Sequence, residues 1–100
     1  MKQGTTPTHT FHLPFASSNI KALEITYAQH DTILFTKEMK DCILEGDIIA
    51  VELSQEETFR FDFTTPIQMQ LRVLTITNQA YATDILLTNI SKSLSKEVLV

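Results

Sequence analysis

From Ile67 to Val73, the apolar residues Ile67, Met69, Leu71 and Val73 alternate with Gln68, Gln70 and Arg72. Successive side chains of a strand point to opposite faces, so the apolar four share one dry face. The rhythm recurs along the chain. Thr8–Leu13 places Phe11 and Leu13 together, and Pro14 ends that ladder because it has no N–H to donate. Ile20–Gln29 aligns Leu23, Ile25 and Tyr27 against Glu24, Thr26 and Ala28. Gln29-His30-Asp31 reads as a tight turn into Thr32–Glu38, with Ile33 and Phe35 expected inward. Met39–Asp41 bends the chain into a short strand at Cys42–Leu44. Glu45-Gly46-Asp47 is a hairpin turn, and Ile48–Leu53 follows with Ile49, Val51 and Leu53 in phase.

Ser54-Gln55-Glu56-Glu57 fits a capping box, which predicts one helical turn. Phe59, Phe61 and Phe63 then alternate with Arg60 and Asp62 and read as core, and Pro66 introduces the 67–73 strand. Thr77-Asn78-Gln79 turns the chain into a last strand over Ala80–Ile90, leaving residues 91–100 as a flexible or docking tail. About seven short strands and one helical turn predict an all-β, immunoglobulin-like antiparallel β-sandwich, with a closed barrel as the rival. Antibody domains carry two inter-sheet cysteines and a tryptophan. This chain has one cysteine and no tryptophan, so the likeness is to the architecture alone.

One hundred residues, 43% hydrophobic and 20% charged, suit a single globular domain. A net charge of −4 disfavours binding to phosphate backbones, so no nucleic-acid partner is expected. No apolar run approaches the roughly 20 residues of a membrane helix. The start has no apolar stretch of a secretory signal, and the single Cys42 allows no intrachain disulfide. The expected location is the cytoplasm, or a larger assembly formed there.

Candidate chemistry is sparse. His9 and His12 fall on opposite faces of a strand and cannot close on one metal. His30 lies in a turn. Cys42 sits in an apolar stretch as a small filler, without a neighbouring base. Glu45, Asp47, Glu56, Glu57 and Asp62 lie near loops, and nothing in the pattern forces two of them into one cleft. Asn89-Ile90-Ser91 fits a glycosylation sequon that lacks a secretory context. No catalytic residue, cofactor or metal is therefore assigned. A carbohydrate-binding sandwich would present aromatic platforms, yet Tyr27 and Tyr81 fall within strand patterns.

Some segments are apolar on both faces: Ile33-Leu34-Phe35, Ile48-Ile49 and Ile85-Leu86-Leu87. A second dry face needs a cover, either a partner or a bulge, an inner strand or the folded-back tail. If a partner is the cover, the candidate surface is Leu34, Ile48 and Leu87 with Leu94, Val98 and Leu99 of the tail. That partner would be a second copy or another protein.

Several stretches carry a family resemblance. They are Gln3-Gly4-Thr5-Thr6-Pro7-Thr8-His9-Thr10-Phe11, Leu13-Pro14-Phe15, Ile25-Thr26-Tyr27-Ala28-Gln29, Leu53-Ser54-Gln55-Glu56-Glu57-Thr58, Gln70-Leu71-Arg72-Val73-Leu74-Thr75 and Asp84-Ile85. Together they resemble small prophage-encoded proteins of Firmicutes gut bacteria over nearly the whole chain. The Thr-rich approach to the first strand is also similar to the β-rich N-terminal domain of upper baseplate proteins. The resemblance implies a phage origin, synthesis in a bacterial cytoplasm, and a non-enzymatic structural or interaction role among tail or baseplate proteins, in the virion. That family has no established activity, so no functional residue carries over.

Overall fold

A computed structural model describes residues 1–100. Its strands are β1 (Thr8–His12), β2 (Ile20–Gln29), β3 (Thr32–Glu38), β4 (Cys42–Glu45), β5 (Ile48–Glu52), β6 (Ile67–Thr75), β7 (Ala80–Ala82) and β8 (Leu86–Thr88). Helix α1 (Gln55–Phe59) is the single α-helical turn, and short 3-10 turns occupy Ser17–Asn19 and Met39–Asp41. The strands form two antiparallel sheets, ordered β1-β5-β4 and β3-β2-β6, with β7 and β8 both on the far edge of β6. The molecule measures 47 × 30 × 17 Å.

The chain changes sheet after β1, after β3 and after β5. This ordering matches an immunoglobulin sandwich from its second strand onward. β1, β5 and β4 stand as B, E and D; β3, β2, β6 and β7–β8 stand as C′, C, F and G. No strand stands where A would flank β1. The residues ahead of β1 instead bridge Lys2 to Ser91 in parallel.

The inward phases are those of the sequence pattern. Leu23, Ile25 and Tyr27 of β2, Ile49 and Val51 of β5, and Ile67, Leu71 and Val73 of β6 share one core with Phe11, Leu53, Phe61 and Ile90. Met69 packs against that core from the same strand. The sheets also meet through a polar contact, His9 Nδ1 to Tyr27 Oη at 2.7 Å. The Tyr27 ring stacks on Phe35 at 4.9 Å between centroids.

Three expectations need correction. First, Ile33 faces solvent at 65% exposure. The β2–β3 register runs Tyr27 opposite Phe35 and then Ala28 opposite Ile33, so Leu34 is an extra residue in a bulge. The bulge turns half-buried Leu34 onto the core and flips Ile33 outward. Second, the alternating phenylalanines of 59–63 do not all reach the core, because the segment is not extended as a strand. Phe59 ends α1, Phe61 is buried and Phe63 is exposed. Two buried glutamines take the backbone groups that a ladder would have used. Gln3 Nε2 donates to Phe61 O at 2.8 Å, while Gln29 Nε2 donates to Asp62 O at 2.7 Å and to Thr65 O at 2.9 Å. Gln29 Oε1 accepts from Asp62 N at 2.8 Å.

Third, the strand expected over Ala80–Ile90 is broken into β7 and β8. Thr83 causes the break. Its N–H donates to Leu71 O at 2.9 Å, and its Oγ1 accepts from Leu71 N at 3.1 Å. One side chain thus does the work of a strand carbonyl. The register slips, from Leu71 against Thr83 to Met69 against Leu86, which leaves one surplus residue.

The tail folds back. Ser91 N donates to Met1 O at 2.9 Å, and Gln55 holds Leu99 by two bonds, Nε2 to Leu99 O at 3.0 Å and Leu99 N to Oε1 at 2.8 Å. Lys96 reaches Gln3 Oε1 and lies 5.9 Å from the ring centres of Phe59 and Phe63.

Candidate docking cleft

The two sheets are of unequal width, and that inequality makes the site. β1 is the outer strand of the smaller sheet. Across from it, β7 and β8 extend the larger sheet beyond the cover that β1 provides. Tyr81 pairs with Val73 and Leu86 with Met69, so both share the inward phase of β6. Yet Tyr81 remains 47% exposed and Leu86 40%. Inward-facing apolar side chains without a lid define a cleft of about 440 Å3, within the usual size of ligand sites.

Its floor is Phe11, Leu71 and Val73, all buried. Leu13, Pro14 and Phe15 close one end, and the Phe15 ring lies 5.5 Å from that of Tyr81. Pro14 stops β1 and throws Phe15 across the gap. Thr10, His12 and Thr83 supply the polar rim. No Asp, Glu, Lys or Arg lines the cleft. Such a lining suits apolar side chains and offers no carboxylate, ammonium or guanidinium to an ionic ligand.

The backbone of β1 adds a second feature. Leu53 N donates to Pro7 O at 3.0 Å and Leu13 N to Asp47 O at 2.7 Å. Antiparallel alternation therefore directs residues 7, 9, 11 and 13 toward β5. The N–H and C=O of Thr8, Thr10 and His12 point the other way, along the cleft, and no hydrogen bond of the chain reaches them.

The six residues singled out from the sequence do not form one patch. Leu34 packs on the core, so it is no open contact residue. Ile48 lies half-buried on the outer face of the smaller sheet, paired with His12 and Glu45. Leu87, 68% exposed, points outward beside Gln68 on the larger sheet, one residue from the cleft-lining Leu86. Leu94, Val98 and Leu99 are exposed on the tail near α1. Of the six, Leu87 alone lies on a strand that borders the cleft, whose lining residues Phe15, Tyr81 and Leu86 were not among them. A phenylalanine in a turn right after Pro14 was the available signal.

Four groups with potential chemistry, His9, Tyr27, Cys42 and Glu57, are held in other bonds. His9 is tied to Tyr27; burial, then the nearby N-terminal ammonium, holds its imidazole below the ordinary value. Burial, then the Cys42 and Glu57 charges, pushes the Tyr27 hydroxyl well up. Cys42 Sγ donates to Glu38 O at 3.3 Å, and burial followed by Asp41 raises its thiol. Glu57 pairs with Lys37 at 2.7 Å; burial opposes ionisation there, but the bonds from Lys37 and Ser54 outweigh it and keep the carboxyl low. Comparison of the chain with protein-family models, curated proteins and solved structures found no match to any of them.

Proposed function

We propose that this protein is a non-enzymatic interaction module that docks a protein partner in the cleft between β1 and β7–β8. The carrying observation is that Tyr81 and Leu86 face inward yet stay uncovered. Burying such side chains stabilises a complex by roughly 1.5–3 kcal/mol each. A lining without Asp, Glu, Lys or Arg supports a protein segment over nucleic acid or an ionic metabolite. The prophage-type resemblance supports a setting among phage structural proteins, in a tail or baseplate. A carbohydrate ligand is the second reading, favoured by the half-exposed Tyr81 ring, which could face a sugar.

The test co-expresses the tagged chain with each product of its flanking genes and follows complexes by size exclusion with light scattering. Leu86→Asp places a charge at the cleft wall without opening the buried core. The expected result is a complex that falls at least tenfold in yield with Leu86→Asp. Persistence of the complex in that variant, or no complex with a neighbour or a second copy, overturns the docking reading. A glycan array with hits lost in Tyr81→Ser would favour the carbohydrate reading instead.

A further inference from the structure

We infer that the cleft binds by strand addition: an isolated extended segment of a partner, uncharged and apolar at alternate positions, pairs with the free edge of β1. This rests on the docking reading and specifies its geometry. Three observations converge. The backbone groups of Thr8, Thr10 and His12 stand in a row with no partner within the chain. A strand laid beside β1 would widen the smaller sheet to four strands, as in an immunoglobulin domain with its A strand. Its inward side chains, at every second residue, would rest on Tyr81 and Leu86.

The edges themselves point the same way. Proteins guard exposed edges with charges, bulges and very short strands. β3 carries the Leu34 bulge with Lys37 and Glu38, and β4 is four residues ending in Glu45. β1, β7 and β8 contain no Asp, Glu, Lys or Arg. The β7–β8 edge is guarded by three-residue strands, a register slip and Asp84 between them, so β1 is the edge left without charge, bulge or such shortness. A folded second copy cannot supply the strand through its own β1. It would bring its larger sheet into the layer already held by β7 and β8. A lone tail or linker has no such second layer, so it fits.

The probe is a panel of capped seven-residue peptides with Val, Ile or Leu alternating with Thr. A matched panel is N-methylated at alternate backbone amides, in either phase. Amide exchange and chemical shifts of the whole chain are followed by NMR. The unmodified panel is expected to slow exchange at Thr8, Thr10 and His12 by at least about tenfold. Methylation of the phase facing β1 should weaken binding at least tenfold, while methylation of the outer phase leaves it unchanged. Thr10→Pro, which removes an outward N–H and spares the bonds to β5, should lose peptide binding with the melting temperature retained. If Tyr81 and Leu86 signals shift but the three amides exchange as before, the docking reading stands and strand addition falls. Equal binding of both methylated phases also overturns it. Silence of the cleft signals across the panel does the same.

Discussion

Single buried polar side chains hold the parts of this chain that are not sheet. Thr58 is fully buried; its one hydroxyl proton lies between Thr5 O and Gln55 O, each 3.0 Å from Oγ1, and Oγ1 accepts from Gly4 N at 2.9 Å. It thereby ties α1 to the turn that precedes β1. Gly4 needs its place there: its φ is +76°, and a Cβ would come within 2.7 Å of Phe59 Cζ. Thr58→Val keeps the shape and removes the hydroxyl. It leaves the Gly4 N–H without its partner, so a loss of about 1–3 kcal/mol in urea unfolding is expected. No alternation marks such a residue in a sequence. Thr58, Gln3 and Gln29 read as ordinary polar positions, because the partners that make them structural, Gly4, Phe61 and Asp62, lie more than 30 residues away.

Among the elements, those set by neighbouring residues were legible and those set by distant ones were not. The capping box is local: Ser54 Oγ accepts from Glu57 N at 3.1 Å, and Glu57 Oε1 accepts from Ser54 N at 2.8 Å. Ser54→Ala is expected to cost about 1 kcal/mol, read as a shift in the urea midpoint at constant slope. The hairpin at Gly46, φ +58°, and the turn at His30-Asp31, φ 51° and 60°, were likewise visible in their own residues. The Leu34 bulge and the break at Thr83 were not. Each is a slip between two strands, and a one-residue slip depends on the partner as much as on the strand itself. The cleft was hidden for that reason. Its walls are correctly patterned inward residues, and only the width of the opposite sheet decides that Tyr81 and Leu86 are uncovered.

Taken whole, the molecule has a polar bolt between its layers, and pH should loosen it. Burial and the N-terminal ammonium hold the His9 imidazole below its ordinary value, whereas the unfolded chain would take up the proton near 6.5. A depressed folded-state value means that the stability is fully present above about 6.5. It is lost as pH falls through the folded-state value. Glu57 is also held low, so its contribution disappears only further into acid. Melting temperature is therefore expected to decline on going from pH 7.5 to 5.5. His9→Gln should flatten that decline; an unchanged slope in the variant would refute the assignment.

The order in which the sheets close also matters while the polypeptide is being made. β2 pairs with β6, β1 with β5, and Lys2 with Ser91. A nascent chain that has reached Phe61 can form the β2–β3 and β4–β5 hairpins. It leaves Leu23, Ile25 and Tyr27 without β6 beside them. Maturation must wait for Ile67–Thr75 to leave the ribosome, and the Met1–Gln3 segment stays loose until Ser91 follows. During that interval the greasy hairpin is the natural target for a chaperone or a protease, which ties the yield of the protein to its rate of synthesis.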